Sequence, residues 1–172
     1  MSGPAIDHRK SEFLLLAKAH DFRGAHKSLE ALASETSMEP TSLAIWQSHL
    51  LQMEGNIDEA ANVLKPHIDS GDMPGGFLRH QRARLFLSSD RLEEARADLE
   101  ALLADDHPRI ATLHSGCRVQ LAYVLAQQGS PKFRKVFDAI PDGRDYFIKD
   151  SIIGKDDLAA MFQARRGTGS DR

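Results

Sequence analysis

The sequence predicts an all-α protein built from repeated pairs of helices. One pattern returns every 35 residues, in three stretches that begin at His20, Gly55 and Asp90. In each stretch the third residue is apolar or aromatic, the sixth is alanine and the tenth is leucine. These three positions lie on one face of a helix, so each stretch predicts an amphipathic helix with a small residue at its centre. A recurrence of this length is typical of repeat proteins.

A second helical pattern precedes each of these stretches. The preceding segments are Ser11–Ala19, Leu43–Met53 and Phe77–Leu87. Proline and glycine separate one pair of helices from the next, which predicts the order helix, tight turn, helix, loop. Because no segment shows a run of alternating β-branched residues, we predict no strands.

A fourth copy of the pattern is visible but imperfect. Gly129 falls where Gly55 stands in the second copy, whereas Val136 replaces the alanine of the second helix. We interpret this copy as a decayed final repeat whose second helix packs more loosely.

The pattern resembles the tetratricopeptide repeat family. Members of that family pair two antiparallel helices, with a small residue late in the first helix, a glycine at the turn and an alanine early in the second. The best match is the second copy, with Ser48, Gly55 and Ala60, and the resemblance covers roughly residues 10–140. It implies a right-handed α-solenoid of about four such helical hairpins with a C-terminal capping helix.

The predicted organisation is therefore one helical array followed by a short cap. The array spans 1–142, with repeats at about 8–38, 41–73, 76–107 and 109–142. Residues 143–166 are predicted to form capping helices, in which Leu158, Met161 and Phe162 lie on one side of the last helix. Residues 167–172 are predicted to be a flexible tail.

Composition and charge argue against several classes of partner. The net charge is −3, with 22 Lys+Arg against 25 Asp+Glu, which argues against nucleic-acid binding. The single cysteine, Cys117, excludes an intrachain disulfide and fits a reducing compartment. The N-terminus has no secretory pattern, and the most apolar run, 13–17, is too short to span a bilayer. We expect a soluble, cytoplasmic protein with no membrane partner.

The sequence offers no constellation with catalytic or metal-binding spacing. Gly75-Gly76 lacks the Gly-Lys-Ser/Thr that completes a phosphate loop, and the eight histidines show no zinc-ligand spacing. His114 and Cys117 could meet on a helix as a base and a thiol. We favour the interpretation that Cys117 is a small buried residue and that His114 lies on the helix surface. We expect a non-catalytic protein without cofactor or metal.

The tetratricopeptide resemblance implies a concave groove, lined by the first helices of successive repeats, that holds an extended peptide or a partner helix. Aligning each copy on its turn places the following residues in the groove: Lys10, Leu14, Ile45, His49, Gln52, His80, Arg84, Leu87, Val119, Tyr123 and Gln127. His49, Arg84 and Tyr123 occupy equivalent positions and are predicted to stack along one wall.

The predicted wall is cationic to neutral, with an aromatic residue at one end. Arg84 could bind a carboxylate through two hydrogen bonds, so an acidic or mixed peptide segment is the expected ligand. With an acidic partner, His49 and His80 should raise the affinity as the pH falls toward 6. The competing interpretation of the basic cluster 79–84 is a solvated helix face. Trp46 is interpreted as part of the core.

The expected function is protein–protein binding, as an adaptor, scaffold or assembly factor. One alternative is a small cytoplasmic chaperone of bacterial secretion, which predicts a dimer. The other is a regulatory subunit associated with a transferase. The sequence leaves open the partner and whether the chain is a monomer or a homodimer. It also leaves open whether the stretch Tyr146–Phe162 caps the array or occupies its own groove.

Overall fold

The computed structural model describes residues 4–35, 39–69, 73–143, 145–149 and 151–167. Within those ranges the chain is mostly helical, which confirms the predicted all-α class apart from one small β-hairpin. The helices are α1 Pro4–Lys18, α2 Phe22–Glu35, α3 Pro40–Met53, α4 Ile57–Asp69, α5 Met73–Ser88, α6 Leu92–Leu103, α7 Pro108–Ala111, α8 His114–Gln127, α9 Phe133–Phe137 and α10 Lys155–Gly167. The strands are β1 Tyr146–Ile148 and β2 Ser151–Ile153.

Four helical hairpins turn in the same way. The residue that closes the first helix has a positive φ in each: 58° at His20, 83° at Gly55, 59° at Asp90 and 60° at Gly129. In each, the amide of the next residue donates to the carbonyl five residues earlier, the mark of a Schellman turn. These bonds join Asp21 to Leu16, Asn56 to Leu51, Arg91 to Phe86 and Ser130 to Leu125. The 35-residue recurrence is therefore the spacing of one repeated turn.

The chain divides into two compact units, Met1–Leu78 (unit 1) and Arg79–Arg172 (unit 2). In unit 1, α1 pairs with α2 and α3 pairs with α4. Trp46 packs edge-on against the buried Phe13, with ring centroids 5.3 Å apart, so its assignment to the core is confirmed. The core of this pair of hairpins contains Phe13, Ala17, Ala25, Leu29, Leu32 and Leu50.

In unit 2 the central element is α8. Six consecutive residues of this helix, 121–126, are buried, because α6, α9, α10 and β1 all contact it. Burial on every side requires apolar side chains, and the stretch 121–126, Leu-Ala-Tyr-Val-Leu-Ala, is apolar or aromatic throughout. The last helix is held by Phe162, which stacks on the fully buried Phe133 with ring centroids 4.3 Å apart.

The prediction that the chain has no strands is wrong. β1 and β2 pair antiparallel, with Tyr146 opposite Ile153 and Phe147 opposite Ile152. Each strand has three residues, too few for an alternating pattern to be recognised. The hairpin lies in the segment where capping helices were predicted, so α10 is the one helix that the described residues 145–149 and 151–167 contain.

The fourth hairpin differs from the other three in its second helix. The helix α9 covers only Phe133–Phe137, shorter than the sequence pattern indicated. The first helix, α8, is preceded by the short helix α7. None of the helices in the described part of the chain combines the length and the apolar character needed to cross a bilayer. Residues 168–172, predicted to be a tail, lie outside the described residues.

Candidate functional site

In unit 1 the predicted groove residues lie on α1 and α3, and two of them are exposed. The Leu14 side chain on α1 is 41% exposed. On α3, His49 is exposed, whereas Ile45 and Gln52 are half-buried. A partner can therefore reach part of this face. The side chain of Lys10 lies outside the described residues.

The same face of α3 carries one apolar residue that the sequence analysis did not select. Met53 is 43% exposed, although it lies at helical spacing from the buried Leu50. It is the last residue of α3, where the helix has passed the end of the buried region. Spacing alone does not reveal where along a helix its burial stops.

In unit 2 two predicted residues lie one turn apart on α5. The half-buried His80 has its Nε2 atom 3.1 Å from Oε1 of Gln120 on α8. Arg84 is exposed and has no ion-pair partner among the described residues. The Arg84 guanidinium is thus available to a ligand in this part of the chain.

Three residues predicted to line the groove in unit 2 are instead buried. The exposed fraction is 3% for Leu87, 1% for Val119 and 8% for Tyr123. A partner cannot contact these side chains in this conformation. On α8 this burial accompanies contacts with α6, α9, α10 and β1. The role of these three positions in binding stays a prediction.

The β-hairpin makes two polar contacts with the rest of unit 2. The Tyr146 hydroxyl lies 3.2 Å from Oγ of Ser115. Lys149 pairs with the Asp90 carboxylate in the turn between α5 and α6. The strand β1 therefore contacts α8 near Ser115, and the residue that follows the strand is held by that turn.

The last helix also contacts α8. Nη2 of Arg165 on α10 donates to Oε1 of Gln127 at 3.3 Å, so this predicted groove residue also contacts the chain itself. The hairpin and α10 therefore meet α8 near its two ends, at Ser115 and at Gln127. Sequence reasoning missed Ser115, Asp90 and Lys149 because only the three-dimensional path of the hairpin brings contacts to them. It missed Gln120 because the contact with His80 joins two helices that are distant in the sequence.

Comparisons with models of known protein families, with curated proteins and with solved structures found no match. The tetratricopeptide resemblance thus stays a prediction. The wall of His49, Arg84 and Tyr123 also stays a prediction, since His49 belongs to unit 1 and the other two to unit 2.

The pair His114 and Cys117 does not form a nucleophile and its base. Cys117 is fully buried, and burial raises the pKa of its thiol to about 11. His114 is half-buried and points its Nε2 atom at the carbonyls of Leu102 and Asp105, 3.0 and 3.1 Å away. His114 therefore satisfies backbone groups at the end of α6. Within the described ranges, no group of three or more His, Cys, Asp and Glu is placed to hold a metal ion.

The pKa of His80 is lowered from its ordinary value of 6.5, first by burial and further by the positive charge of Arg84, while the hydrogen bond to Gln120 opposes the shift. His80 therefore gains its proton at a lower pH than the sequence analysis assumed. This weakens the predicted contribution of His80 to a rise of affinity toward pH 6.

The lowered pKa of His80 predicts how stability depends on pH. Below pH 6.5 the unfolded chain takes up a proton that the folded chain does not, so the free energy of unfolding falls as the pH drops through this window. The His80→Gln variant lacks this group, so its free energy of unfolding should fall less than that of the wild type over the same pH range. Urea unfolding at pH 7.5, 6.5 and 5.5 measures it. If the wild type and the His80→Gln variant differ in their free energy of unfolding by the same amount at all three pH values, the lowered pKa of His80 is contradicted.

Proposed function

We propose that this chain is a non-catalytic protein–protein interaction module of the tetratricopeptide type. In this proposal its helical hairpins stack as a right-handed solenoid, and a partner segment binds to the faces formed by the first helix of each hairpin. It acts as an adaptor, a scaffold or an assembly factor.

The observation that carries the proposal is the repetition of one hairpin geometry. The turns at His20, Gly55, Asp90 and Gly129 share one backbone conformation. The alanines that follow in the second helices, Ala25, Ala60 and Ala95, are all fully buried. Equal units with a small residue at the same crossing point favour regular stacking, and regular stacking gives equivalent faces a common direction.

Two exposed residues supply the expected polarity of the surface. Arg84 offers five N–H donors in a planar arrangement and has no ion-pair partner among the described residues. His49 is exposed on α3, on the face that also carries the half-buried Ile45 and Gln52. These groups suit an acidic or mixed segment that also buries apolar side chains.

The test is capture of partners from a native lysate with the purified chain. The Arg84→Glu/His49→Glu variant should recover the partner about tenfold less well than the wild type, because a charge reversal repels an acidic ligand. The matched control is Arg23→Glu/Lys135→Glu, which changes two exposed residues on second helices. Circular dichroism checks that all three proteins are equally helical. A partner retained by both variants would place the binding surface elsewhere.

The identity of the captured protein separates the two alternatives. A secreted protein bound to a dimer of this chain would favour the secretion chaperone. A transferase recovered in a fixed ratio would favour the regulatory subunit. Mass spectrometry of the eluate and light scattering of the purified chain give both answers.

A further inference from the structure

The β-hairpin of unit 2 holds the face of α8 that a partner was expected to use. We infer that this hairpin is an intramolecular substitute for the partner. The partner segment that unit 2 binds is then extended and has the same order of residues as the hairpin: an aromatic residue, any residue, an aliphatic residue and a lysine. This inference rests on the proposed function, because it names the ligand and the control of the same surface.

The order of residues follows from β1 itself. Side chains alternate along a strand, so Tyr146 and Ile148 share one side. Tyr146 reaches Ser115 of α8, and Ile148 is only 2% exposed. Phe147 points the other way and is 68% exposed. Many proteins recognise a bound peptide strand by contacting every second side chain.

The charge of the ligand follows from the end of the hairpin. Lys149 bonds the carboxylate of Asp90, which occupies the left-handed turn between α5 and α6. Unit 2 therefore recognises a positive charge at this point, whereas Arg84 had suggested an acidic ligand. A segment of mixed charge satisfies both.

The hairpin is held weakly enough to be displaced. Two strands of three residues are not stable by themselves in water. The Asp90 side chain is 78% exposed, so solvent screens its pair with Lys149. The outer pair Phe147 and Ile152 is 68% and 71% exposed and adds little packing. The burial of Ile148 and Ile153 is the main apolar contact that a competing segment must replace.

The test uses a fluorescent peptide with the sequence of residues 145–154, Asp-Tyr-Phe-Ile-Lys-Asp-Ser-Ile-Ile-Gly, and measures its anisotropy. In the Tyr146→Phe/Lys149→Met variant the two polar contacts of the internal hairpin are removed. The peptide should bind this variant at least tenfold more tightly than the wild type, because a tethered competitor acts at an effective concentration of about 1 mM. A peptide with methionine in place of lysine should bind the variant less tightly.

The control variant is Lys135→Met, which removes an exposed lysine of α9 and should bind the peptide as weakly as the wild type. Circular dichroism checks that each variant is folded. Equal binding to the wild type and the released variant, or no binding to the released variant, would overturn the inference.

The peptide test can contradict the hairpin inference without contradicting the proposed function, and the lysate capture can do the reverse. If capture from the lysate depends on Arg84 and His49 but the peptide binds the released variant no more tightly than the wild type, the proposed interaction module is supported. The hairpin is then only a cap. Peptide competition without any captured partner would support the hairpin site and contradict the proposed function.

Discussion

Replacing Asp98 with alanine is expected to destabilise unit 2 by about 3 kcal/mol. Asp98 lies on α6 with its side chain 5% exposed, and its partner Arg82 on α5 is 19% exposed. Nε of Arg82 donates to Oδ2 at 2.8 Å and Nη2 donates to Oδ1 at 2.7 Å. The substitution removes the carboxylate from a guanidinium that stays largely out of water. Thermal unfolding followed by circular dichroism should show a midpoint roughly 10 °C lower.

Two further variants test the cause of that loss. Glu100 on the same helix pairs with Arg96 but is 42% exposed, so Glu100→Ala should cost only about 0.3–0.5 kcal/mol. Replacing both buried partners, in Arg82→Met/Asp98→Leu, should restore most of the stability, because no charge is then buried. Equal effects of Asp98→Ala and Glu100→Ala would show that burial of the pair has no importance.

Replacing Phe133 with alanine is expected to cost about 3–5 kcal/mol and to loosen α10. The ring is fully buried, stacks on Phe162 at a centroid distance of 4.3 Å and contacts Phe137 at 5.0 Å. Its removal leaves a cavity between α9 and α10 that the short α9 cannot easily close. Urea unfolding gives the change in stability, and hydrogen exchange of the α10 amides shows whether the helix opens locally.

The matched control for this variant is another phenylalanine of the same unit. Phe147 is 68% exposed, so Phe147→Ala should change the free energy of unfolding by no more than about 0.5 kcal/mol. Phe133→Leu, which fills part of the space, should fall between the two. A loss below about 1 kcal/mol for Phe133→Ala would contradict the view that this ring anchors α10.

The turns of the helical hairpins could be predicted from the sequence because their cause is local. In the first three hairpins a residue at positive φ is followed by a second helix with a fixed apolar pattern, and both signals lie within ten residues. Glycine at 55 and 129 marks two of the turns directly. His20 and Asp90 adopt the same conformation without being glycine, and only their place in the recurrence identifies them.

The candidate site was less predictable because its causes are not local. Arg82 belongs to a basic cluster that spacing interprets as a solvated face, yet it meets a buried carboxylate sixteen positions later on the neighbouring helix. Val119 and Tyr123 stand at the positions that the family resemblance assigns to a groove. Both side chains are buried in a helix that α6, α9, α10 and β1 all contact, and no pattern within α8 indicates these distant partners.

The burial of residues 121–126 of α8 also has a consequence for synthesis on the ribosome. The core of unit 1 is built from residues up to Leu78, whereas α8 does not gain its contacts with α10 until Phe162 has been added. At about 5–20 residues per second, the interval between these two points is roughly 4 to 17 s. We expect the nascent chain to carry this apolar stretch without its full cover during the last part of that interval. Unit 2 is therefore the part of the growing chain that most needs protection from aggregation.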